Sequence, residues 1–219
     1  MSIWVVGGTS GIGRACAERL WKEYPGVETM VTGEEVDVRD QQNIQQFSTG
    51  KLITKMVYSA GTNYLHWWDQ MDPEEMKRLY DINVIGLLRV MRELRNLTDV
   101  VVIGSDAAWR PMRTSVAYCP SKAALHMAAQ VIARERSEEG FRINVVAPGK
   151  VECTKMTEYT DRRSTELRPS MDHIAYQKAQ IPSGKFCTTE DVAEVVVNLL
   201  FTESLQLNGA IIPVNGGRY

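Results

Sequence analysis

The sequence has few cysteines and histidines, and neither type occurs at metal-ligand spacing. The four cysteines are scattered and include no C-x-x-C pair, which favours reduced thiols over a disulfide framework. The three histidines stand far apart, so each is interpreted as a surface or packing residue rather than a ligand: His66, His126 and His173. We therefore expect no metal site and a cytoplasmic location.

A large excess of charge and long apolar runs are also absent. The formal net charge is −2 and the sequence pI is about 6.0, so no basic field favours nucleic acid or an anionic membrane. No apolar run approaches the roughly 18 residues that cross a bilayer, and the apolar start runs straight into a glycine turn rather than a signal-peptide cleavage site. With 219 residues, 44% of them hydrophobic, we expect one globular domain over residues 1–219.

Short apolar runs alternate with helical patterns along the chain. The predicted strands are 2–7, 27–32, 35–38, 53–59, 99–104, 141–147 and 210–214, and the predicted helices are 12–24, 40–47, 73–95, 115–138 and 189–202. Continuous Val/Ile runs, such as the one within 99–104, are typical of strands buried on both faces of a parallel sheet. The alternation predicts an α/β fold with a doubly wound, Rossmann-like parallel sheet that binds ligands at the carboxyl ends of its strands.

A glycine-rich turn joins the first predicted strand to the first predicted helix. Gly7, Gly11 and Gly13 allow a tight turn and a close approach to a pyrophosphate, which would lie over the helix N-terminus. A plain glycine turn is the alternative for the pattern alone. The strand–turn–helix context favours dinucleotide binding.

A tyrosine and a lysine stand four residues apart, at Tyr118 and Lys122, thirteen residues after Ser105. In a helix this spacing places both side chains on one face. A nearby ammonium favours the phenolate and lowers the tyrosine pKa from its usual value of about 10. For an isolated pair a solvated helix face is the better interpretation, but a proton-transfer pair is the hypothesis that the glycine turn supports.

Seven further segments complete an ordered set of motifs: 36–38, 58–61, 81–86, 103–105, 142–149, 181–186 and 213–217. Together with the glycine turn and the tyrosine–lysine pair, they resemble the classical short-chain dehydrogenases/reductases. The resemblance covers nearly the whole chain. It implies an NAD(P)-dependent oxidoreductase that interconverts a secondary alcohol and a ketone by hydride transfer.

The resemblance also implies a role for each of four catalytic residues. Tyr118 is the general acid in carbonyl reduction and the general base in alcohol oxidation. Lys122 lowers the pKa of Tyr118 and holds the nicotinamide ribose hydroxyls. Ser105 hydrogen-bonds the substrate oxygen, and Asn83 anchors a water that links Lys122 to solvent.

A larger set is implied to bind the dinucleotide, from the glycine turn, the adenine-side pair, the segment after 58 and the stretch behind the nicotinamide. Its members are Gly7, Thr9, Ser10, Gly11, Ile12, Gly13, Asp37, Val38, Ser59, Ala60, Gly61, Tyr118, Lys122, Pro148, Gly149, Val151 and Thr154.

The sequence departs from the family in two places near the cofactor. The segment between the second and third predicted strands is very short, so the usual helix there is expected to be missing. The threonine that touches the carboxamide falls on Cys153, with Thr154 next to it, and either residue is a candidate.

The sequence favours NAD over NADP. Ser10 stands where NADP users carry a basic residue, and Glu34 follows the second strand, where a carboxylate would repel a 2′-phosphate. The alternative remains open, because Gly33 occupies the usual position of an NAD-preferring Asp. Arg14 and Arg39 are also candidates to reach a 2′-phosphate.

Four further expectations concern the substrate lid, the substrate class, the oligomeric state and the alternative function. Region 150–185 is expected to form a substrate lid, with a pair of solvated surface helices as the alternative. Trp109 and Met112 favour a hydrophobic ketone or secondary alcohol as a small-molecule substrate, whereas Trp67 and Trp68 are interpreted first as packing residues.

The family pairs helices 73–95 and 115–138 across subunits, which implies a homodimer or homotetramer. A non-catalytic dinucleotide sensor or a structural subunit is the alternative function.

Overall fold

The computed structural model describes residues 1–218 and contains one six-stranded parallel sheet. The strands are β1 (Ser2–Val6), β2 (Glu28–Thr32), β3 (Lys55–Tyr58), β4 (Asp99–Ile103), β5 (Arg142–Pro148) and β6 (Ile211–Val214). Their order across the sheet is β2-β1-β3-β4-β5-β6, and every neighbouring pair is parallel. The predicted α/β fold with a doubly wound parallel sheet is confirmed.

Within residues 1–218, eight α-helices cover the two faces and the carboxyl edge of the sheet. They are α1 (Gly11–Glu23), α2 (Gln41–Ser48), α3 (Pro73–Tyr80), α4 (Gly86–Glu93), α5 (Tyr118–Glu135), α6 (Lys155–Leu167), α7 (His173–Ala179) and α8 (Thr189–Phe201). Among the described residues, no helix combines the length and apolar character that a bilayer crossing requires.

The side chains of alternate residues in the central strands pack into two hydrophobic cores, one on each face of the sheet. Trp4 and Val6 lie in one core, against side chains from α2, α4 and α5. Ile3 and Val5 lie in the other, against α1 and α8. This two-sided burial explains why the strand sequences read as unbroken apolar runs.

The predicted strand at 35–38 is wrong, and the chain there forms two turns. The amide of Val36 donates to the Gly33 carbonyl at 3.3 Å, and that of Asp40 donates to the Asp37 carbonyl at 3.0 Å. The physical reason is chain length, because a parallel neighbour of β2 needs a crossover of about a dozen residues or more. Val36 and Val38 are buried without a strand. The expected absence of a helix before this point is confirmed, and β2 becomes the edge of the sheet.

The predicted helix 73–95 is divided by a wider turn. A π-helical segment, Asp81–Ile85, separates α3 from α4. The Tyr58 hydroxyl donates to the Ile82 carbonyl at 2.8 Å, which ties this segment to the end of β3. π-Turns inside helices occur frequently at functional sites, and this one carries Asn83.

A buried charge cluster lies at the amino ends of β3, β4 and β5. The Asp99 carboxylate accepts from Lys55 and Arg142 on the two flanking strands and from Thr98 at 2.7 Å. The Lys55 ammonium also donates to the Leu200 carbonyl at 3.0 Å. Because one carboxylate serves two cations, the buried Arg142 and the partly buried Lys55, its removal would leave both without a counter-charge.

We expect Asp99→Asn to destabilise the fold by about 3 kcal/mol, since breaking a buried ion pair by removing one partner typically costs about 3–5 kcal/mol. Urea unfolding measures the change. The control is Glu18→Gln, which breaks the exposed Arg14–Glu18 pair and should cost at most about 0.5 kcal/mol. Equal small losses in both variants would contradict the assignment.

Candidate active site

The glycine turn between β1 and α1 has the shape of a phosphate cradle. Gly7 and Gly11 have φ angles of 75° and 53°, which other residues adopt at a cost. A Cβ on Gly7 would lie 2.7 Å from the Ala60 nitrogen, and one on Gly13 would lie 2.3 Å from the Gly7 oxygen. The Ser10 side chain makes no capping hydrogen bond to α1. The residues present therefore fit a bound pyrophosphate, with Thr9 and Ile12 in the same turn.

The predicted segment after β3 lies beside both the glycine turn and the catalytic residues. The Ser59 amide donates to the Val6 carbonyl at 2.9 Å. A Cβ on Gly61 would lie 3.4 Å from Asn83 Oδ1 and 3.7 Å from Lys122 Nζ. Ser59, Ala60 and Gly61 thus connect the two halves of the predicted site.

The adenine-side pair, Asp37 and Val38, lies in the turns between β2 and α2, and its contact with a dinucleotide stays a prediction. Asp37 accepts from the Arg39 guanidinium at 2.9 and 3.0 Å, and this hydrogen bond lowers the pKa of the Asp37 carboxyl. The Val38 side chain is buried in the core against α4. A contact from Val38 to a ligand would therefore come from its backbone.

The stretch after β5 approaches the glycine turn through Thr154. The Gly149 amide donates to the Val214 carbonyl at 2.9 Å, immediately after Pro148. Val151 is buried, and Thr154 begins α6, with its hydroxyl accepting from the Thr157 amide at 3.1 Å.

Of the two candidate residues at this point, Thr154 is the one that faces the glycine turn. A Cβ on Gly11 would lie 3.6 Å from Thr154 Cγ2. Cys153 is exposed and has a φ of 59°.

Tyr118 and Lys122 lie in the first turns of α5, and both side chains are buried. The Lys122 ammonium donates to the Ile103 carbonyl at 3.0 Å and lies 5.8 Å from the centroid of the Tyr118 ring. Burial raises the pKa of Tyr118 to about 12, opposed by its hydrogen bond with Ser105. Burial lowers the pKa of Lys122 to about 8. Desolvation is thus the largest influence on the pKa of Tyr118, and its lowering by Lys122 stays a prediction.

Ser105 meets Tyr118 at the carboxyl end of β4. Its hydroxyl caps a 3-10 turn, Asp106–Ala108, by accepting from the Ala107 amide at 3.2 Å. The following residue, Asp106, is also buried, and its burial raises the pKa of the carboxyl while Arg110 and Arg218 oppose the shift. The sequence analysis missed Asp106, since a single acid after a strand carries no motif.

Asn83 is fully buried in the π-helical segment, and its amide is hydrogen-bonded on both sides. Nδ2 donates to the Thr62 carbonyl at 3.0 Å and to the Ser121 hydroxyl at 3.1 Å, and Oδ1 accepts from the Thr62 amide at 2.8 Å. Asn83 therefore links the loop after β3 to α5, which the sequence analysis did not foresee.

His126 is buried, as expected of a packing residue. Its Nε2 also accepts from the Ser105 amide at 3.3 Å. The sequence held one signal, because His126 follows Lys122 by four residues and thus shares its helix face.

The region 150–185 forms two helices, α6 and α7, over the loop that follows β3. The Tyr159 hydroxyl accepts from the Leu65 amide at 3.5 Å, and Arg163 Nε donates to the Leu65 carbonyl at 3.3 Å. Nearby, Trp109 is 41% exposed and its ring lies 5.6 Å from that of His126. Among residues 1–218, no cluster of three or more His, Cys, Asp or Glu side chains is placed to hold a metal ion.

Known proteins similar in sequence to this chain include reductases and a protein named as an inactive dehydrogenase. A family model described as enoyl-(acyl carrier protein) reductase matches residues 22–218. The 3-oxoacyl-[acyl-carrier-protein] reductase MabA of Mycobacterium tuberculosis is 30% identical over 238 residues, covering 99% of this chain and 92% of that protein. The "inactive 2-(S)-hydroxypropyl-CoM dehydrogenase 2" of Xanthobacter autotrophicus is 28% identical, covering 93% of this chain and 90% of that protein.

Solved structures share the fold over nearly the full length. A short-chain dehydrogenase family protein from Francisella tularensis has a TM-score of 0.88 at 23% identity, covering 99% of this chain and 98% of its own. An actinorhodin polyketide ketoreductase variant with NADPH also has a TM-score of 0.88, at 22% identity, covering 99% and 96%. On its motifs, its fold and these relatives, the chain belongs to the short-chain dehydrogenase/reductase family of oxidoreductases.

Proposed function

We propose that the protein interconverts a secondary alcohol and a ketone by hydride transfer, with Tyr118 as the general acid and base. The Ser105 hydroxyl beside the Tyr118 phenol, where it opposes the raised pKa of the phenol, carries this proposal together with the buried ammonium of Lys122. A bound nicotinamide supplies or accepts the hydride. The four catalytic residues lie in one site, next to a turn that fits a dinucleotide.

Each residue has one task in the reduction. The Ser105 hydroxyl holds the substrate oxygen within reach of the Tyr118 phenol, which donates its proton as the alcohol forms. The Lys122 ammonium stabilises the resulting phenolate by charge. Oxidation reverses these steps. Asn83 keeps the loop after β3 against α5, and its role in a water relay stays a prediction.

We propose NAD as the preferred cofactor. Glu35 Oε1 accepts from the Gly33 amide at 2.8 Å, at the end of β2, and a Cβ on Gly33 would lie 2.2 Å from Thr9 Oγ1. A carboxylate is therefore held near the adenosine side of the glycine turn, where it favours ribose hydroxyls over a 2′-phosphate. The two arginines considered for a 2′-phosphate are paired with acids: Arg14 with Glu18 and Arg39 with Asp37.

The remaining proposals concern the substrate, the domain and the assembly. Two exposed apolar side chains that follow Ser105 in the chain, Trp109 and Met112, favour a hydrophobic small-molecule ketone or alcohol. Residues 1–219 are proposed as one domain, with α6 and α7 as its lid. Leu88 on α4 is 43% exposed, and Met127 and Val131 on α5 are 60% and 46% exposed. These side chains support a homodimer or homotetramer that buries both helices.

We expect Tyr118→Phe to lower kcat by about 10²–10⁴-fold, since the proton donor is lost while the ring remains. NADH binding, followed by fluorescence titration, should stay within about threefold of the wild type, because the phenol group is not needed to hold the phosphates. Steady-state reduction of a panel of ketones measures kcat. An absence of turnover by the wild type with either NADH or NADPH would support the non-catalytic alternative; one relative is itself named as inactive.

The pH profile of kcat/KM for NADH should follow Lys122, since this constant reports groups of the free enzyme. The lowered pKa of about 8 means that the ammonium is present below pH 8 and lost above it. We therefore expect a plateau from about pH 6 to 8 and a decline approaching about tenfold per pH unit above. A decline that begins only near pH 10 would contradict the assignment. Replacing the exposed Lys77 by Gln should leave the profile unchanged.

Glu35→Gln should weaken discrimination between the cofactors. The wild type is expected to favour NADH over NADPH in kcat/KM, and the variant should reduce this ratio by about tenfold, because a neutral amide repels a 2′-phosphate less. The matched control is Glu34→Gln, at the residue that the sequence favoured. Because Glu35 rather than Glu34 holds the Gly33 amide, this control should change the ratio by less than about threefold. Equal effects of the two variants would show that only the overall charge of the turn matters.

A further inference from the structure

His126 is a buried imidazole on the same face of α5 as the catalytic pair. It follows Lys122 by four residues and Tyr118 by eight, so the three side chains form one row along the helix. The side chain is 4% exposed, and the Trp109 ring packs beside it at 5.6 Å between centroids. The proton steps described above do not use His126.

The row of side chains holds the end of β4 at two points. Lys122 donates to the carbonyl of Ile103, the last residue of the strand, at 3.0 Å. The Gly104 amide still donates to the Val146 carbonyl of β5 at 2.7 Å. The next amide, that of Ser105, instead donates to His126 Nε2 at 3.3 Å. His126 thus supplies the acceptor at the point where the sheet ladder ends.

The space for the imidazole depends on a residue without a side chain. A Cβ on Gly104 would lie 2.1 Å from His126 Nε2 and 2.6 Å from Val145 Cγ1. Gly104 is therefore required for the ring to reach the Ser105 amide. Because the sequence at 104 and the side chain at 126 fit together in this way, the contact is a built feature rather than a chance approach.

The hydrogen bond fixes the protonation state of the ring. Nε2 must present a lone pair to the Ser105 amide, so the proton of the neutral imidazole lies on Nδ1. Burial and the nearby Lys122 charge both lower the pKa of His126, to about 4. The ring therefore stays an acceptor throughout the neutral range.

We propose that His126 is a positioning residue that orients Ser105 for catalysis through the Ser105 amide. The backbone of Ser105 is extended, with φ −170° and ψ 150°, and this conformation directs the hydroxyl to Tyr118 and the Ala107 amide. Without an acceptor for its amide, Ser105 loses a contact that the neighbouring Gly104–Val146 hydrogen bond does not replace, and its hydroxyl is held in place less firmly. The inference rests on the proposed role of Ser105 in holding the substrate oxygen.

The kinetic test compares His126→Leu with His126→Gln. Leu removes the acceptor, whereas the Gln Oε1 can occupy the position of Nε2. We expect Leu to lower kcat by about 10- to 100-fold, in line with the cost of a small misplacement at a reacting centre. KM for NADH should stay within about twofold, because the dinucleotide is held elsewhere. Gln should recover most of kcat, and equal losses or no loss in both variants would overturn the proposal.

A second measurement does not depend on turnover. The nitrogen-15 spectrum of the wild-type imidazole should show a neutral ring protonated on Nδ1 at neutral pH, and an Nε2–H tautomer would overturn the proposal without any variant. Hydrogen exchange of the Ser105 amide should be faster in His126→Leu than in His126→Gln by on the order of tenfold. If the wild type reduced no ketone, the proposed function would fail, while the spectrum and the exchange would still decide the contact.

Discussion

The active end of the sheet depends on one buried ammonium, that of Lys122. It lies between α5 and β4, donates to the Ile103 carbonyl, and has a pKa that burial lowers to about 8. A buried charge is costly unless it is hydrogen-bonded or paired with polar groups. Here the Tyr118 phenol lies one helical turn away, and Gly61 leaves the space beside Lys122 and Asn83 open. The same contact joins helix to strand, so the chemistry of the site and the docking of α5 have a common origin.

A second constraint is the short connection after β2. Only eight residues separate Thr32 from the start of α2, which is too few for a parallel strand and its crossover. The chain therefore turns twice and buries Val36 and Val38 in the core that the missing elements would have covered. The same turns bring the Glu35 carboxylate back to the Gly33 amide. The short connection at the edge of the sheet thus places an acid beside the glycine turn.

The sequence predicted the structure correctly at positions where a residue type has one dominant physical role. Glycines with positive φ, apolar runs buried on two faces and a tyrosine–lysine pair on one helix face all lie where the patterns predicted them. The strand predicted at 35–38 failed because buried valines suggest a strand whether or not the chain has room to form one. The π-helical turn at Asn83 and the contact of His126 with Ser105 were missed because both depend on neighbours distant in sequence. The choice of Thr154 over Cys153 likewise required the position of Gly11.

The two ends of β4 have different roles, one in the stability of the fold and the other in the proposed chemistry. Asp99 begins the strand, and its carboxylate accepts hydrogen bonds from Lys55 and Arg142. Ile103 ends the strand, and its carbonyl accepts from Lys122. Four residues at about 3.3 Å each put these two charged sites about 13 Å apart, a distance at which substitutions usually act independently. The amino end therefore fixes the strands against one another with fully paired charges. The carboxyl end can then keep a desolvated lysine with a lowered pKa and an asparagine in a widened helical turn, because the sheet is anchored elsewhere.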